Sequence, residues 1–282
     1  MRKKILALML VLIFLSGCSF DIRNSSSQSV TDGLLNVHFI DVGQADSILI
    51  YTSSAAMLID GGNNDDSEKV VNYISSKGIS KLDYVIGTHP HEDHIGGLDA
   101  VVKKFDIGKI FMPKVQKNTK TFKSLLTAVK NKGLKVTTAK AGIKFELDSN
   151  TKCEILSPND DNYDDMNDYS VVVKLTYGNK SFLFEGDAGT LPEKEMLQKG
   201  TDLKSDVLKV AHHGSSSSTS DEFLAAVSPE YAVISVGKDN DYNHPNKHTV
   251  EKLKNTKLYR TDNDGTVIMT TDGNEITVEK EK

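Results

Sequence analysis

Residues 88–97 read Thr88-His89-Pro90-His91-Glu92-Asp93-His94-Ile95-Gly96-Gly97 and directly follow an apolar run that predicts a short buried strand. His89 and His91 are two residues apart, so in an extended turn both imidazoles can address one point. Asp93 and His94 lie on the next turn and can address a second point. Imidazole with carboxylate is a ligand set for Zn or Mn that leaves open positions, whereas a structural zinc site would be expected to use Cys. The segment therefore predicts a hydrolytic metal site.

Three other places carry similar side chains, each after a predicted strand. Asp187 follows the apolar strand 181–185, the pair His212-His213 follows the strand 206–211, and His244 lies in Asn243-His244-Pro245. Side chains at strand ends can converge because the sheet holds those ends in register. Neighbouring residues of an extended strand point to opposite faces, so the sequence leaves open which histidine of the pair is a ligand. The sequence also leaves open whether His244 lines the substrate side of the site or lies in a solvated loop.

The pattern His89-x-His91-x-Asp93-His94, with two glycines after it, resembles the HxHxDH signature of the metallo-β-lactamase superfamily. The resemblance implies an α/β fold, an αββα sandwich formed as a single domain over 33–282, with two divalent metal ions (Zn or Mn) between the sheets. It implies that Asp187 bridges the ions and that His212 or His213 completes the second site. The metal ligands implied in this way are His89, His91, Asp93, His94, Asp187, His212 and His213.

A narrower resemblance, to the extracellular domain of ComEC-type DNA-uptake proteins, covers residues 35–278. It rests on FIDVGQAD at 39–46, FEGDA at 184–188, LKVAHHGS at 208–215 and NHP at 243–245. Ala45 departs from the glycine usual there. No histidine lies between 95 and 211, where true metallo-β-lactamases have a third ligand for the first metal. A β-lactamase is therefore not expected, and that position is left to Asp168, Asn167 or water.

The ligand set and the resemblance together imply phosphodiester hydrolysis, most specifically by an extracellular nuclease. Two metal ions would activate water for attack on phosphorus. Asp93 would orient the attacking oxygen, and His213 (or its neighbour His212) or His244 would protonate the leaving oxygen. Two alternatives stay open: a cell-wall phosphodiesterase acting on phosphocholine or teichoic-acid esters, and a non-catalytic DNA-binding lipoprotein.

The N-terminal residues predict export and a lipid anchor. Three basic residues at 2–4 precede an apolar run at 5–14 that is too short to span a bilayer. Leu15-Ser16-Gly17-Cys18 resembles the lipobox of bacterial lipoproteins, so we expect a signal peptide at 1–17, lipid on Cys18 and a Ser-rich tether at 18–32. This would place the protein on the extracellular face of the cytoplasmic membrane. An ordinary secretory signal and an uncleaved anchor are the alternatives.

Composition and charge narrow the possible partners. The 282 residues, 38% hydrophobic with 2 Cys, exclude collagen-like, disordered and disulfide-rich classes, and they are enough to bury a core as a monomer. A net charge of −5 disfavours nucleic-acid binding over the whole surface. The segment 103–144, however, has twelve lysines and one acid, which predicts DNA or another polyanion as partner if it flanks the site. A solvated or lipid-facing lysine surface is the alternative; Phe105, Phe111 and Phe122 are the nearby aromatics for stacking bases.

Overall fold

The structure, a computed structural model, describes residues 33–282. The signal peptide predicted at 1–17, the lipid predicted on Cys18 and the tether predicted at 18–32 lie outside the described residues. Within 33–282, none of the helices combines the length and the apolar character needed to cross a membrane.

The strands described in 33–282 form one eight-stranded and one seven-stranded sheet. In chain order they are β1 (Leu35–Phe39), β2 (Ile48–Tyr51), β3 (Ala56–Ile59), β4 (Lys81–Ile86), β5 (Asp106–Pro113), β6 (Val136–Ala139), β7 (Lys144–Asp148), β8 (Thr151–Ser157), β9 (Val172–Tyr177), β10 (Lys180–Phe184), β11 (Val207–Lys209), β12 (Tyr231–Ile234), β13 (Lys257–Arg260), β14 (Val267–Thr271) and β15 (Ile276–Lys280). The first sheet has the order β15-β14-β1-β2-β3-β4-β5-β6, and the second has the order β13-β12-β11-β10-β9-β8-β7. Strands β3 to β6 and β10 to β13 are parallel, and the other neighbours are antiparallel.

The helices form where apolar residues recur on one face. They are α1 (Ser67–Ser76), α2 (Glu92–Ile95), α3 (Leu98–Lys104), α4 (Lys120–Asn131), α5 (Thr190–Gln198), α6 (Asp221–Val227), α7 (Lys247–Lys252) and α8 (Thr261–Asp264). In α4 the buried residues Phe122, Leu125 and Val129 are three and four positions apart, which aligns them on one stripe. The Thr119 hydroxyl accepts the backbone N–H of Phe122 at 3.2 Å and so caps the first turn of this helix.

Three apolar clusters define the layers. One lies between the two sheets and includes Phe39, Leu175 and Phe184. A second packs α1, α3 and α4 onto the outer face of the first sheet, and a third packs α5 and α6 onto the second. Strands covered on both faces read as continuous apolar runs, as in β2 (ILIY) and β12 (YAVI). The expected αββα sandwich is confirmed.

The candidate functional residues follow the carboxyl ends of parallel strands. His89 follows β4 and Asp187 follows β10, while His213 and His244 come after β11 and β12. Asp60 comes directly after β3. Ligands of open α/β sheets bind outside the carboxyl ends of the strands, where the loops leave room. The two sheets therefore contribute to one site through equivalent ends.

The core between the sheets should carry much of the stability. We expect Leu175→Ala to lower the free energy of unfolding by about 2–5 kcal/mol, because Leu175 is fully buried between the sheets. The same change at Leu126, which is 39% exposed on α4, should cost about 0.5 kcal/mol or less. Urea denaturation followed by circular dichroism measures both. Equal losses in the two variants would contradict this assignment of the core.

Candidate metal centre

The loop between β4 and α2 brings two imidazoles together. His89 is fully buried and His91 is half-buried at the residue before α2, in an extended conformation. The Nε2 atom of His89 lies 2.9 Å from the Nδ1 atom of His91. Two ring nitrogens that face each other this closely can offer their lone pairs to a single cation.

A second group of donors draws on both sheets. Asp93, His94, Asp187 and His213 each offer one atom, and these atoms all lie within 4.8 Å of one another. His94 Nε2 is 3.2 Å from Asp187 Oδ1, and His213 Nε2 is 3.2 Å from Asp93 Oδ2. Asp187 Oδ2 is also 3.9 Å from His89 Nε2. Asp187 therefore lies between the two groups, where a bridging ligand would stand.

Two atoms of this second group show that it suits a metal ion. His94 Nε2 and Asp187 Oδ1 are both buried, and although they lie 3.2 Å apart, neither makes a well-aligned hydrogen bond among residues 33–282. A buried polar atom without a partner costs free energy, so such atoms call for an explanation. A divalent cation with nitrogen and oxygen ligands would satisfy both. The donor set therefore fits a metal, and imidazole with carboxylate suits Zn or Mn.

Asp60 holds His94 in position from the side away from the centre. Its carboxylate accepts the Thr88 backbone N–H at 2.8 Å, the Thr88 hydroxyl at 2.7 Å and the His94 Nδ1–H at 2.8 Å. With Nδ1 engaged in this way, Nε2 of His94 is the atom left to face the centre. Asp60 was not among the residues expected from the sequence to form the site. The available signal was a carboxylate at a strand end followed by glycine, the same kind of signal that singled out Asp187.

A buried ion pair joins the two sheets beneath the centre. Lys209 Nζ from β11 lies 2.8 Å from Asp46 Oδ2 in the loop between β1 and β2, and both side chains are excluded from solvent. Asp46 also donates its backbone N–H to the Asp93 carbonyl at 3.0 Å. His213 donates Nδ1–H to the Ser235 carbonyl at 2.9 Å, with Asp46 Oδ1 3.5 Å away. Sequence reasoning assigned neither member of the pair a function.

The charges of the centre favour cation binding. Burial alone lowers the pKa of His94, but Asp187, Asp93 and Asp60 outweigh burial and hold that pKa well above its ordinary value. Burial raises the pKa of Asp187, but His94 and His213 outweigh it and hold that pKa well below its ordinary value. A metal ion must therefore displace a proton from His94, which makes metal affinity increase with pH.

The two adjacent histidines both face the centre, although strand geometry would separate them. His212 and His213 have φ angles of 51° and 53°, a left-handed turn that residues other than glycine seldom adopt. His213 is buried within the second donor group, whereas His212 is 26% exposed with its Nε2 3.8 Å from Asp187 Oδ2. His213 thus lies inside the donor group, and His212 lies at its rim.

His244 lies on the same rim. Its ring centroid is 5.6 Å from that of His212 and 6.4 Å from that of His213. Burial, together with His212 and His213, lowers its pKa. Asp168 Oδ1 accepts the Gly189 N–H at 3.2 Å, while the buried Asn167 Oδ1 has no partner in the described part of the chain.

The lysine-rich segment is largely free of internal ion pairs. Lys103, Lys114 and Lys144 lie within 4.0 Å of carboxylates, and the other nine lysines of 103–144 have no such partner in the part of the chain the structure covers. Lys117 is close enough to His91 to lower its pKa, second only to burial. The aromatic side chains of this segment cannot stack bases, because Phe105, Phe111 and Phe122 are buried. Phe105 and Phe122 pack between the first sheet and its helices, and Phe111 lies in β5 and packs between the two sheets.

Comparison with known proteins agrees with this geometry. Residues 40–238 match the family model described as the metallo-beta-lactamase superfamily. The chain belongs to this superfamily. It is 30% identical over 251 residues to ComE operon protein 3 of Bacillus subtilis, across 82% of this chain and 32% of that protein. It is 32% identical over 231 residues to the competence protein ComA of Neisseria gonorrhoeae, and the match covers 80% of this chain and 30% of that protein. The resemblance inferred from the sequence is confirmed, and the chain spans about a third of the length of these relatives.

Two solved structures share this fold. The metallo-beta-lactamase fold protein YhfI of Bacillus subtilis superposes with a TM-score of 0.58 at 12% identity, covering 86% of this chain and all of that one. A putative metal-dependent hydrolase from Parabacteroides distasonis superposes with a TM-score of 0.52 at 17% identity. This match covers 81% of this chain and 93% of the other. At these identities the likeness concerns the fold alone.

The contact between Asp60 and His94 should control metal affinity. We expect Asp60→Asn to weaken Zn or Mn binding by about 10- to 100-fold, because the amide orients the imidazole less firmly and makes it less basic. The control is Asp83→Asn, since Asp83 also accepts a backbone N–H, from Ala56 at 3.1 Å, but is not among the donors of the centre. Competition with a chromogenic chelator measures both. Equal affinities in the two variants would contradict the role of Asp60.

Proposed function

We propose that this protein is a metal-dependent phosphodiester hydrolase that acts on DNA outside the cell while tethered to the membrane by lipid on Cys18. The convergence of Asp93, His94, Asp187 and His213, with two buried donor atoms left without partners, carries the hydrolase part of the proposal. The names of the relatives support DNA as substrate. One of the two relatives named above is a competence protein. A third relative, the recombination protein 2 of Haemophilus influenzae, is 30% identical over 227 residues.

The residues divide into two metal-binding groups. His89 Nε2 and His91 Nδ1 would hold one divalent ion, and Asp93, His94 and His213 would hold the other, with Asp187 shared between them. When bound, Zn or Mn at such a site lowers the pKa of water and polarises a phosphoryl oxygen. Asp60 and the Ser235 carbonyl fix the rings of His94 and His213, so both Nε2 atoms face the centre.

The remaining side chains would handle the substrate and its protons. The Asp93 side chain is 32% exposed, and one of its oxygens lies 3.2 Å from His213 Nε2. It can therefore accept a hydrogen bond from an attacking oxygen and align it. His212 and His244 stand on the rim, where an imidazole in its protonated form can give a proton to the departing oxygen of the ester. His213, which the sequence also offered for this step, is better placed as a ligand because it is buried in the donor group.

The charge around the centre supports a polyanionic substrate. Lys117 lies beside the first histidine pair, and Lys120 and Lys123 extend the positive surface along α4. Exposed lysines that neutralise phosphates bind nucleic acid in a way that weakens steeply with salt. An extended polyanion that reaches the centre can contact this surface at the same time. A small phosphodiester would gain little from it.

Two substitutions test the catalytic centre. We expect His91→Ala and Asp187→Asn each to lower metal-dependent hydrolysis by more than about 100-fold, because each removes a metal ligand, with little change in the far-ultraviolet circular dichroism. His248→Ala and Asp202→Asn are the matched controls, since both residues are exposed and belong to neither donor group. They should leave turnover unchanged. Retained turnover in both of the first two variants would overturn the proposed site.

The assay uses the full chain in detergent, stripped of metal and then given Zn or Mn. Labelled single- and double-stranded DNA are offered beside a small chromogenic phosphodiester. Cleavage of DNA that requires metal supports the nuclease. Turnover of the small ester with DNA untouched would instead favour a hydrolase of cell-wall phosphodiesters. Binding of DNA without any turnover would favour a DNA-binding lipoprotein.

A further inference from the structure

Tyr242 is an aromatic side chain that the fold leaves in solvent beside the centre. It is 69% exposed, and no other Phe or Tyr of residues 33–282 is exposed. Its ring lies 5.8 Å from the ring of His244, at an angle of 25°. His244 in turn neighbours His212, whose Nε2 is 3.8 Å from Asp187 Oδ2. A row of rings therefore leads from the metal centre to an exposed aromatic face.

The loop that carries Tyr242 is held in place by one amide. The Asn240 side chain donates to the carbonyls of Gly237 at 2.9 Å and His244 at 2.6 Å. Its Oδ1 accepts the backbone N–H groups of Tyr242 at 3.1 Å and His244 at 3.0 Å. Four hydrogen bonds to one side chain fix a segment whose aromatic ring touches little of the core. A ligand that packs on this ring meets a preformed surface, which lowers the entropy cost of binding.

A groove of about 690 Å³ adjoins this loop. Its charged lining residues are Lys238, Lys247 and Arg260 with Asp239 and Asp262, and His244 also lines it. Arg260 is paired with Asp262, at 2.6 and 3.0 Å. Neither Lys238 nor Lys247 has a carboxylate within 4.0 Å among the residues the structure describes. Two ammonium groups without a carboxylate partner, in a groove that adjoins the loop of the exposed ring, match a ligand that has both phosphates and flat apolar faces.

We propose that Tyr242 is the platform on which a nucleobase beside the scissile phosphodiester stacks, so that the substrate is single-stranded nucleic acid. This inference rests on the proposed function and names the substrate class of the same site. Aromatic platforms along cationic grooves are how proteins hold single strands without reading their sequence. The bases of a duplex already stack on each other and cannot use the ring unless the strands separate. Lys238 and Lys247 would hold the phosphates of the same strand.

The test compares two single strands of equal charge and length, oligothymidylate and an abasic oligodeoxyribose phosphate. The full metal-loaded chain binds each labelled strand in a stopped-flow anisotropy experiment, recorded before turnover. Wild type should bind oligothymidylate about tenfold or more tightly than the abasic strand, since stacking on an aromatic side chain adds to affinity for each base. Tyr242→Ala should remove this difference, and Tyr242→Phe should keep it. Affinity for the abasic strand should be the same in all three proteins.

Two results would overturn the platform. One is equal binding of both strands by wild type, and the other is a preference for oligothymidylate that survives in Tyr242→Ala. Cleavage assays on the same proteins separate this inference from the proposed function. Binding that depends on Tyr242 without metal-dependent cleavage would sink the hydrolase and leave the platform standing. Cleavage with no contribution from Tyr242 would sink the platform and leave the hydrolase standing.

Discussion

The imidazole of His94 lies between two buried carboxylates that come from different sheets. Its Nδ1 is 2.8 Å from Asp60 Oδ2 after β3, and its Nε2 is 3.2 Å from Asp187 Oδ1 after β10. This arrangement requires the two sheets to keep a fixed separation at one edge, and the apolar core between them sets that separation. The buried pair of Lys209 and Asp46 ties the sheets together at the same place. Asp46 also reaches two other donors, because its backbone N–H donates to the Asp93 carbonyl and its Oδ1 lies 3.5 Å from His213 Nδ1.

The fold bears a local cost at this edge. Asp60, His212 and His213 have φ angles of 59°, 51° and 53°, and left-handed conformations of such residues cost about 1–3 kcal/mol each. Buried ion pairs also lose hydration, so they contribute little net stability and serve mainly to fix geometry. The burial of apolar side chains in three clusters, which cover both faces of each sheet, offsets the cost of the strained backbone and of the dehydrated charges. Such backbone strain is common where a chain positions several polar side chains around one site, as it does here.

The fold and the donor residues of the segment 89–94 could be predicted because the sequence signals for them are local. Six residues hold three histidines and two carboxylates, and most strands and helices show clear apolar periodicity. Strand β7 lacks such a signal because its sequence KFELD alternates charged and apolar residues at a sheet edge, and α5 lacks one because its apolar residues follow no regular helical spacing. The orientation of His212 and His213 could not be predicted, since it depends on a left-handed turn. The roles of Asp60 and of the Lys209–Asp46 pair depend on contacts between distant segments.

The account depends on metal ions held by ligands from both sheets. The most direct measurement is anomalous X-ray diffraction from crystals of the protein grown with Zn or Mn, recorded above and below the absorption edge of the metal. We predict two peaks, one in contact with His89 and His91 and one in contact with His94 and His213, with Asp187 touching both. Full occupancy of metal elsewhere on the protein, with no peak at these residues, would contradict the account.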